Sequence, residues 1–156
     1  MRAMKPARLQ TWLDHWWTQA EERLNTSMPT PTLTIDASNS LAHFRTARGF
    51  AFADATEDAE GLVQPSIVVA GKLLQQPTNR IFGVLLHEIG HAIDSVLIPT
   101  GLDNWAARQG QWLAKTPERR ADDIVQAVFD VVIRYDDADV QTTGSGTSPR
   151  PERLGL

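Results

Sequence analysis

Two histidines and a glutamate stand close together in the middle of the chain, in the order His87-Glu88-Ile89-Gly90-His91. On a helix, histidines four residues apart lie one turn apart on the same face, so both imidazoles can reach one metal ion. The glutamate then lies beside that ion, where it can take a proton from a bound water. The pattern therefore predicts a zinc site at His87 and His91, with Glu88 as the general base.

The rest of the predicted helix supports a metal site. With about 100° per residue and His87 at zero, His91, Asp94 and Gly90 all fall within about 60° of His87. The opposite face consists of large apolar residues, namely Phe82, Leu85, Ile89, Ile93 and Val96. A histidine pair on an ordinary surface helix would stand among Lys, Glu and Gln instead, so a chance match is the weaker interpretation.

A catalytic zinc site usually has three protein ligands and one open position. The chain has no cysteine and only two further histidines, so we expect a carboxylate as the third ligand. Glu118 and Asp122 continue the apolar stripe of a later helix, where an unpaired charge is costly. Alternatively, both acids merely favour the positive end of that helix. Asp94 is the rival third ligand, although a hydrogen bond to a histidine or to local backbone is its expected role.

The two motifs together resemble a known family. His87-Glu88-Ile89-Gly90-His91 followed by Glu118-Arg119-Arg120-Ala121-Asp122 resembles the HExxH and ExxxD pattern of the gluzincins, the thermolysin-like and smaller zincin metallopeptidases. The resemblance implies Zn²⁺ held by His87, His91 and Glu118, with Asp122 orienting a zinc-bound histidine. It also implies zinc-dependent hydrolysis of peptide bonds, in which Glu88 activates a zinc-bound water.

The resemblance extends over roughly residues 66–135. It implies that the apolar segment 66–70 is the edge strand that pairs with an extended peptide substrate, through Ile67, Val68 and Val69. The long spacing between the two motifs is similar to that of compact, single-domain members, including those of bacterial and phage genomes. One departure is that no histidine follows the first motif to stabilise an oxyanion; the remaining candidates are Arg119, Arg120, Arg134 and Tyr135.

The periodicity of apolar residues predicts the elements that must position these side chains. Helices are predicted at 7–25, with its tryptophans on the core face, at 78–97, at 104–114 and at 117–135. Short runs at 33–35, 42–45, 50–53 and 66–70 predict a small, mostly antiparallel sheet in the region 32–70. We therefore expect an α+β, zincin-like fold with the sheet packed on the active-site helix. Residues 1–141 form its single domain, and 142–156 are expected to be a flexible tail.

Composition excludes several other classes of function. The chain has 156 residues, with 15 basic and 19 acidic side chains and a net charge of −4, which is unfavourable for binding nucleic acid. No run of residues is apolar enough to predict a membrane span or a secretory signal. We expect a cytoplasmic protein, with a virion-associated one left open, acting on a protein or peptide. The sequence predicts no oligomeric state.

Two alternatives to a peptidase follow from the same residues. The first is a catalytically silent zincin-fold module with an interaction or structural role, as part of a larger assembly. The intact Glu88 argues against it, because a purely structural zinc site needs no acid–base residue. The second is a DNA-binding regulator, which the absence of a basic recognition helix disfavours.

Overall fold

A computed structural model describes residues 3–47, 49–97, 116–135 and 140–143. The described part of the chain is an α+β fold with three α-helices and two small sheets. In chain order, the elements are α1 (Pro6–Leu24), β1 (Thr32–Asp36), β2 (Ala51–Glu57), β3 (Val63–Ala70), α2 (Thr78–Leu97), α3 (Pro117–Phe129), β4 (Val132–Tyr135) and β5 (Val140–Thr143). The helix predicted at 104–114 lies outside the described residues, as does the expected tail beyond Thr143.

The three-stranded sheet is mixed, which differs from the mostly antiparallel sheet expected from the sequence. Its order is β1-β3-β2, with β3 parallel to β1 and antiparallel to β2. Strand β3 alternates buried and less buried positions, and its Val63, Ile67 and Val69 belong to the core. A central position suits this strand, because it is the most apolar of the three. Apolar alternation specifies the face of a strand but not its direction, so the sequence pattern did not reveal the parallel pair.

The segment Ala42–Arg45, expected to be a strand, is a short 3-10 helix. Asp36 at the end of β1 determines this turn, because its carboxylate accepts hydrogen bonds from the Leu41 amide and from two serine hydroxyls. These local bonds compete with strand pairing. The helix buries Phe44, so the apolar residue that suggested a strand contacts the core from a turn instead.

Helix α1 covers the core with its tryptophans, as its periodicity indicated. Trp12, Trp16 and Trp17 are all buried, and the first two contact Phe82 of α2 with ring centroids 4.3 and 5.5 Å apart. The Trp17 indole donates a hydrogen bond to the Met28 carbonyl, which satisfies its one polar atom. These rings fix α1 against the helix that carries the histidine pair.

Helix α2 occupies the predicted range, 78–97, and is buried over most of its surface. Helix α3 begins at Pro117 as expected but ends at Phe129, six residues before the predicted end at 135. Asp130 ends it in the left-handed conformation, with φ 56°. The β-branched residues that follow then form β4, which pairs with β5. Strand β5 includes residues 142 and 143, which were expected to begin the tail.

No helix in the described ranges is long and apolar enough to cross a membrane.

Candidate metal centre

Helix α2 presents the two predicted histidine ligands side by side. His87 and His91 lie one turn apart, and their Nε2 atoms are 3.1 Å from each other. His87 is almost fully buried, whereas the side chain of His91 is 19% exposed and borders a surface cleft. The spacing therefore does what the sequence predicted, in that both ring nitrogens face one point at the edge of the core.

The first turn of α3 brings Glu118 to the same point. Thr116 caps this helix by accepting a hydrogen bond from the Arg119 amide, and Pro117 occupies the first helical position. Glu118 Oε2 consequently lies 2.6 Å from His87 Nε2 and 3.3 Å from His91 Nε2. Among the described residues, these three side chains form a cluster with the donor atoms and spacing needed to hold a metal ion.

The geometry of this cluster fits a tetrahedral ion. Donor atoms about 2.0–2.1 Å from such an ion lie about 3.3–3.4 Å from one another. Two of the three separations here, 3.1 and 3.3 Å, are close to that value. The third, 2.6 Å between His87 and Glu118, is the length of a charge-assisted hydrogen bond. Two imidazoles and one carboxylate suit zinc and also other divalent transition metals, so the donor set alone does not select the ion.

Asp122 lies where the resemblance implied an orienting partner for a histidine. Its Oδ1 is 2.8 Å from His87 Nδ1, one helical turn beyond Glu118 on α3. A carboxylate only accepts hydrogen bonds, so Nδ1 of His87 carries the proton and Nε2 of the neutral ring has a lone pair. That lone pair points at Glu118, which is also only an acceptor. A bound cation, or a second proton on the imidazole, is therefore needed between them.

The pKa values of His87 and Glu118 are strongly shifted by their surroundings. Burial by itself lowers the pKa of the His87 imidazole, but hydrogen bonds to Asp122 and Glu118, with the charge of Glu88, raise it to about 9. Hydrogen bonds from His87 and from His91 hold the pKa of the half-exposed Glu118 carboxyl far below its usual range. The site thus strongly favours a positive charge among its donor atoms, which a proton or a metal ion can supply.

Glu88 is the buried acid next to this cluster. It is only 7% exposed, and its Oε2 has no hydrogen-bond partner among the described residues. Burial raises the pKa of its carboxyl, against the opposing charges of His87 and His91. A buried carboxylate oxygen without a partner is costly, so the location of Glu88 on the cleft wall indicates that a further group belongs beside it.

Asp94 lies outside the metal cluster, unlike the rival ligand considered from the sequence. Its Oδ2 accepts a hydrogen bond of 2.9 Å from Nε of Arg120, and both side chains are mostly buried. The described partner of Asp94 is therefore an arginine of α3 rather than a histidine. This ion pair joins α2 to α3 one turn beyond His91, and so it supports the contact between the two helices.

Gly90 allows that contact to be close. A Cβ built on Gly90 would lie 2.5 Å from the Ala121 carbonyl oxygen and 3.0 Å from the Ala121 Cα. Any residue other than glycine would therefore push α3 away from α2. Since Ala121 lies between Glu118 and Asp122 on α3, the missing side chain at Gly90 is what lets both acids reach His87.

The strand beside the cleft is β2, not β3 as the resemblance implied. Both edges of β3 are paired, with β1 and with β2, so Ile67, Val68 and Val69 have no free backbone for a substrate. All of β2, Ala51–Glu57, borders a cleft of about 600 Å³ that also contains Glu88 and His91. No described strand pairs with the outer edge of β2. The alanine alternation of β2 was visible in the sequence, but nothing there placed it at an edge.

The oxyanion candidates are placed as follows. Arg120 borders the cleft and bonds to Asp94. Arg119 is exposed and pairs with Asp123 on the surface of α3. The side chains of Arg134 and Tyr135 lie outside the described part of the structure. Sequence reasoning missed His43, which borders the same cleft and whose Nε2 donates a hydrogen bond to the Ala51 carbonyl.

Comparison of the chain with protein-family models, with curated proteins and with solved structures finds no match.

Proposed function

We propose that this protein is a zinc-dependent peptidase that hydrolyses a peptide bond in the cleft between α2 and β2. One observation carries the proposal. The donor atoms of His87, His91 and Glu118 converge on one point. On the wall of the same cleft, a carboxylate oxygen of Glu88 lies buried with no hydrogen-bond partner in the described part of the chain. This combination joins a metal site to a proton acceptor, which a structural metal site does not need.

His87, His91 and Glu118 would hold the ion, and Asp122 fixes the ring of His87 through Nδ1. When bound, zinc supplies a Lewis acid that brings the pKa of a bound water to about 7 and polarises the substrate carbonyl. Asp122 keeps the lone pair of His87 at Nε2, the ring nitrogen that faces His91 and Glu118. The half-exposed side chain of Glu118 leaves the outer part of the site open to the cleft.

Glu88 is the group that moves protons in this proposal. Its carboxylate accepts a proton from the attacking water and then delivers a proton to the amine that leaves when the peptide bond breaks. Burial raises the pKa of the Glu88 carboxyl, which brings its proton affinity closer to that of the groups with which it exchanges protons. Because Glu88 is buried, little water surrounds its carboxylate, and its interaction with charge that develops during the reaction is therefore stronger.

Strand β2 would bind the substrate backbone. The Phe50 carbonyl accepts a hydrogen bond from the Ala70 amide, so even-numbered residues of β2 direct their backbone groups toward β3. Odd-numbered residues direct theirs to the outer edge, and His43 already occupies the carbonyl of Ala51 there. Ala53 is the next outward-facing residue, and we assign to it the backbone contact with an extended peptide.

The silent-module alternative accounts for less of this geometry. A structural metal site requires the three ligands and an orienting partner, which the cluster and Asp122 supply. It gives no reason for an acid whose Oε2 is buried beside a large open cleft with no partner in the ranges that the structure describes. The buried Glu88 therefore supports catalysis over a purely structural role.

Replacement of Glu88 by Gln tests the proposal. The expected result is full zinc content by mass spectrometry of the purified protein, with cleavage of a peptide library reduced at least about 100-fold, because the proton acceptor is lost. Glu22→Gln, an exposed position on α1, serves as the matched control and keeps activity. A zinc-loaded wild type that cleaves no peptide in the library would overturn the proposal, as would a fully active Glu88→Gln variant.

A further inference from the structure

Acidic side chains outnumber basic ones in the cleft. Among the described residues, its walls carry one guanidinium, from Arg120, and five carboxylates, those of Asp54, Glu57, Glu88, Asp94 and Glu118. Arg120 is bonded to Asp94, so these two charges largely offset each other. A divalent ion at the metal cluster would likewise offset Glu88 and Glu118. The negative charge that no group in the described structure offsets belongs to Asp54 and Glu57, both on β2.

These two acids are available to a ligand. Both are exposed, and neither forms an ion pair with a described residue. Asp54 Oδ1 accepts a hydrogen bond from the Ala55 amide, which holds its carboxylate beside the outer edge of the strand. The period of two places Glu57 on the same face of β2 as Ala51, Ala53 and Ala55, the face that packs toward the core.

The alanines give this face its shape. Ala51, Ala53 and Ala55 are small, so they leave room above β2 for the side chains of a bound chain, and Glu57 ends the row with a carboxylate. A long, positively charged side chain fits such a groove, because its methylene groups can lie over the alanines while its charge reaches the acid. An acidic side chain at the same place would meet Glu57, and would approach Asp54 at the outer edge of the strand, without a cation to offset either carboxylate.

We infer that the cleft selects extended peptides that carry a lysine or arginine, and that Asp54 and Glu57 are the residues that determine this preference. The inference rests on the proposed function, since it concerns the substrate class of the same site. The partner is thus a basic segment of a polypeptide, recognised by charge at one wall of the cleft and by its backbone at the edge of β2.

The test uses fluorogenic peptides of one sequence that differ at a single position, occupied by Lys, Gln or Glu and moved along the peptide. At about 150 mM salt, where distant charges are screened, kcat/KM is expected to fall in the order Lys, Gln, Glu. At the best position, each step is about 1.4- to 5-fold, as expected for exposed charge pairs. Glu57→Lys should reverse the order of the Lys and Glu peptides. Glu22→Lys makes the same charge change on α1 and should keep it.

A binding measurement separates this inference from the hydrolysis itself. Zinc-loaded Glu88→Gln protein is titrated with the same labelled peptides, and the affinity is read by fluorescence anisotropy. If the Lys peptide binds more tightly than the others and Glu57→Lys abolishes this preference, the inference is supported. It is supported even if the wild type cleaves no peptide, because absence of cleavage would refute only the proposed hydrolysis. Equal binding and equal cleavage of the three peptides overturns the inference and leaves the hydrolysis standing. A preference that survives both Glu57→Lys and Asp54→Asn overturns it as well.

Discussion

Gly90→Ala is the substitution whose effect follows most directly from the geometry. The added Cβ would lie 2.5 Å from the Ala121 carbonyl oxygen and 3.0 Å from Ala121 Cα, on the neighbouring helix α3. Packed carbon and oxygen atoms stay about 3.4 Å apart, so α3 must retreat by about 0.9 Å at this point. Glu118 lies about one turn before Ala121 on α3, so a shift of this helix also moves the Glu118 carboxylate away from the two histidines.

Two free energies oppose each other in this variant. Overpacking of a well-packed contact destabilises a protein by about 1–3 kcal/mol. Alanine is favoured over glycine inside a helix by about 1 kcal/mol, so the net loss of unfolding free energy is about 0–2 kcal/mol. The metal site is more sensitive than the fold, because ligand distances tolerate only about 0.2 Å. We therefore expect zinc affinity to fall about 10- to 100-fold, the range seen when the support of a ligand is lost.

Zinc affinity is measured by competition with a chromogenic chelator, and stability by urea unfolding of the metal-free protein. The double variant Gly90→Ala, Ala121→Gly is the control. The clash involves backbone atoms of Ala121, so removal of its methyl group should not restore the affinity. A Gly90→Ala protein with wild-type zinc affinity and wild-type stability would refute the close approach of the two helices as the reason for a glycine here.

Three further predictions concern two acidic positions beside the cluster, the third ligand and the protonation of His87. Glu118→Ala should lower zinc affinity more than Asp94→Ala, while Asp94→Ala should cost more unfolding free energy because it leaves a mostly buried arginine without this partner; the reverse order of affinities would remove Glu118 as the third ligand. Asp122→Asn should weaken zinc binding about 10-fold, whereas Asp123→Asn on the same helix should not, and equal effects would contradict the orienting role of Asp122. Because the pKa of His87 is raised to about 9, this ring holds a second proton, on Nε2, at pH 7 in the metal-free protein, and this proton must leave before Nε2 can bind zinc. Calorimetry in buffers of different ionisation enthalpy should therefore show proton release, with affinity that falls as the pH is lowered; binding without proton release would contradict this.

The candidate site was more predictable from the sequence than the sheet. The HExxH spacing places two imidazoles on one helical face by geometry alone, and Thr116 and Pro117 mark where the next helix begins. Glu118 and Asp122 then needed only the assumption that this helix packs against the first. The sequence pattern left open whether Glu118 or Asp94 is the third ligand. Asp94 lies about one turn after His91 on the same face of its helix, and Glu118 lies on the face of the next helix that was expected to pack inward. The partner of Asp94, Arg120, depends on the contact between α2 and α3 and has no local signal.

The sheet was harder to predict, because its strands are short and their pairing is not local. The strand β3 was evident in the sequence from the β-branched side chains of Ile67, Val68 and Val69. The same apolar side chains favour a central position in the sheet, which is where β3 lies, rather than the edge that was expected. The edge strand β2 is weaker in sequence, since Ala53 and Ala55 have low strand propensity. The segment 42–45 was misread because hydrogen bonds to Asp36, rather than hydrophobic periodicity, determine its conformation.

The separation of the ligands along the chain gives the ion a second effect. His91 and Glu118 are 27 residues apart, on helices that also contact each other at Gly90, through the Asp94–Arg120 pair and through the hydrogen bond between His87 and Asp122. An ion bound to both would close this loop in the folded protein, and its binding free energy would add to the free energy of unfolding, because the unfolded chain has no preformed site for it. The chain has no cysteine, so the metal would join its two helices where other proteins use a disulfide, and removal of the ion would undo this link.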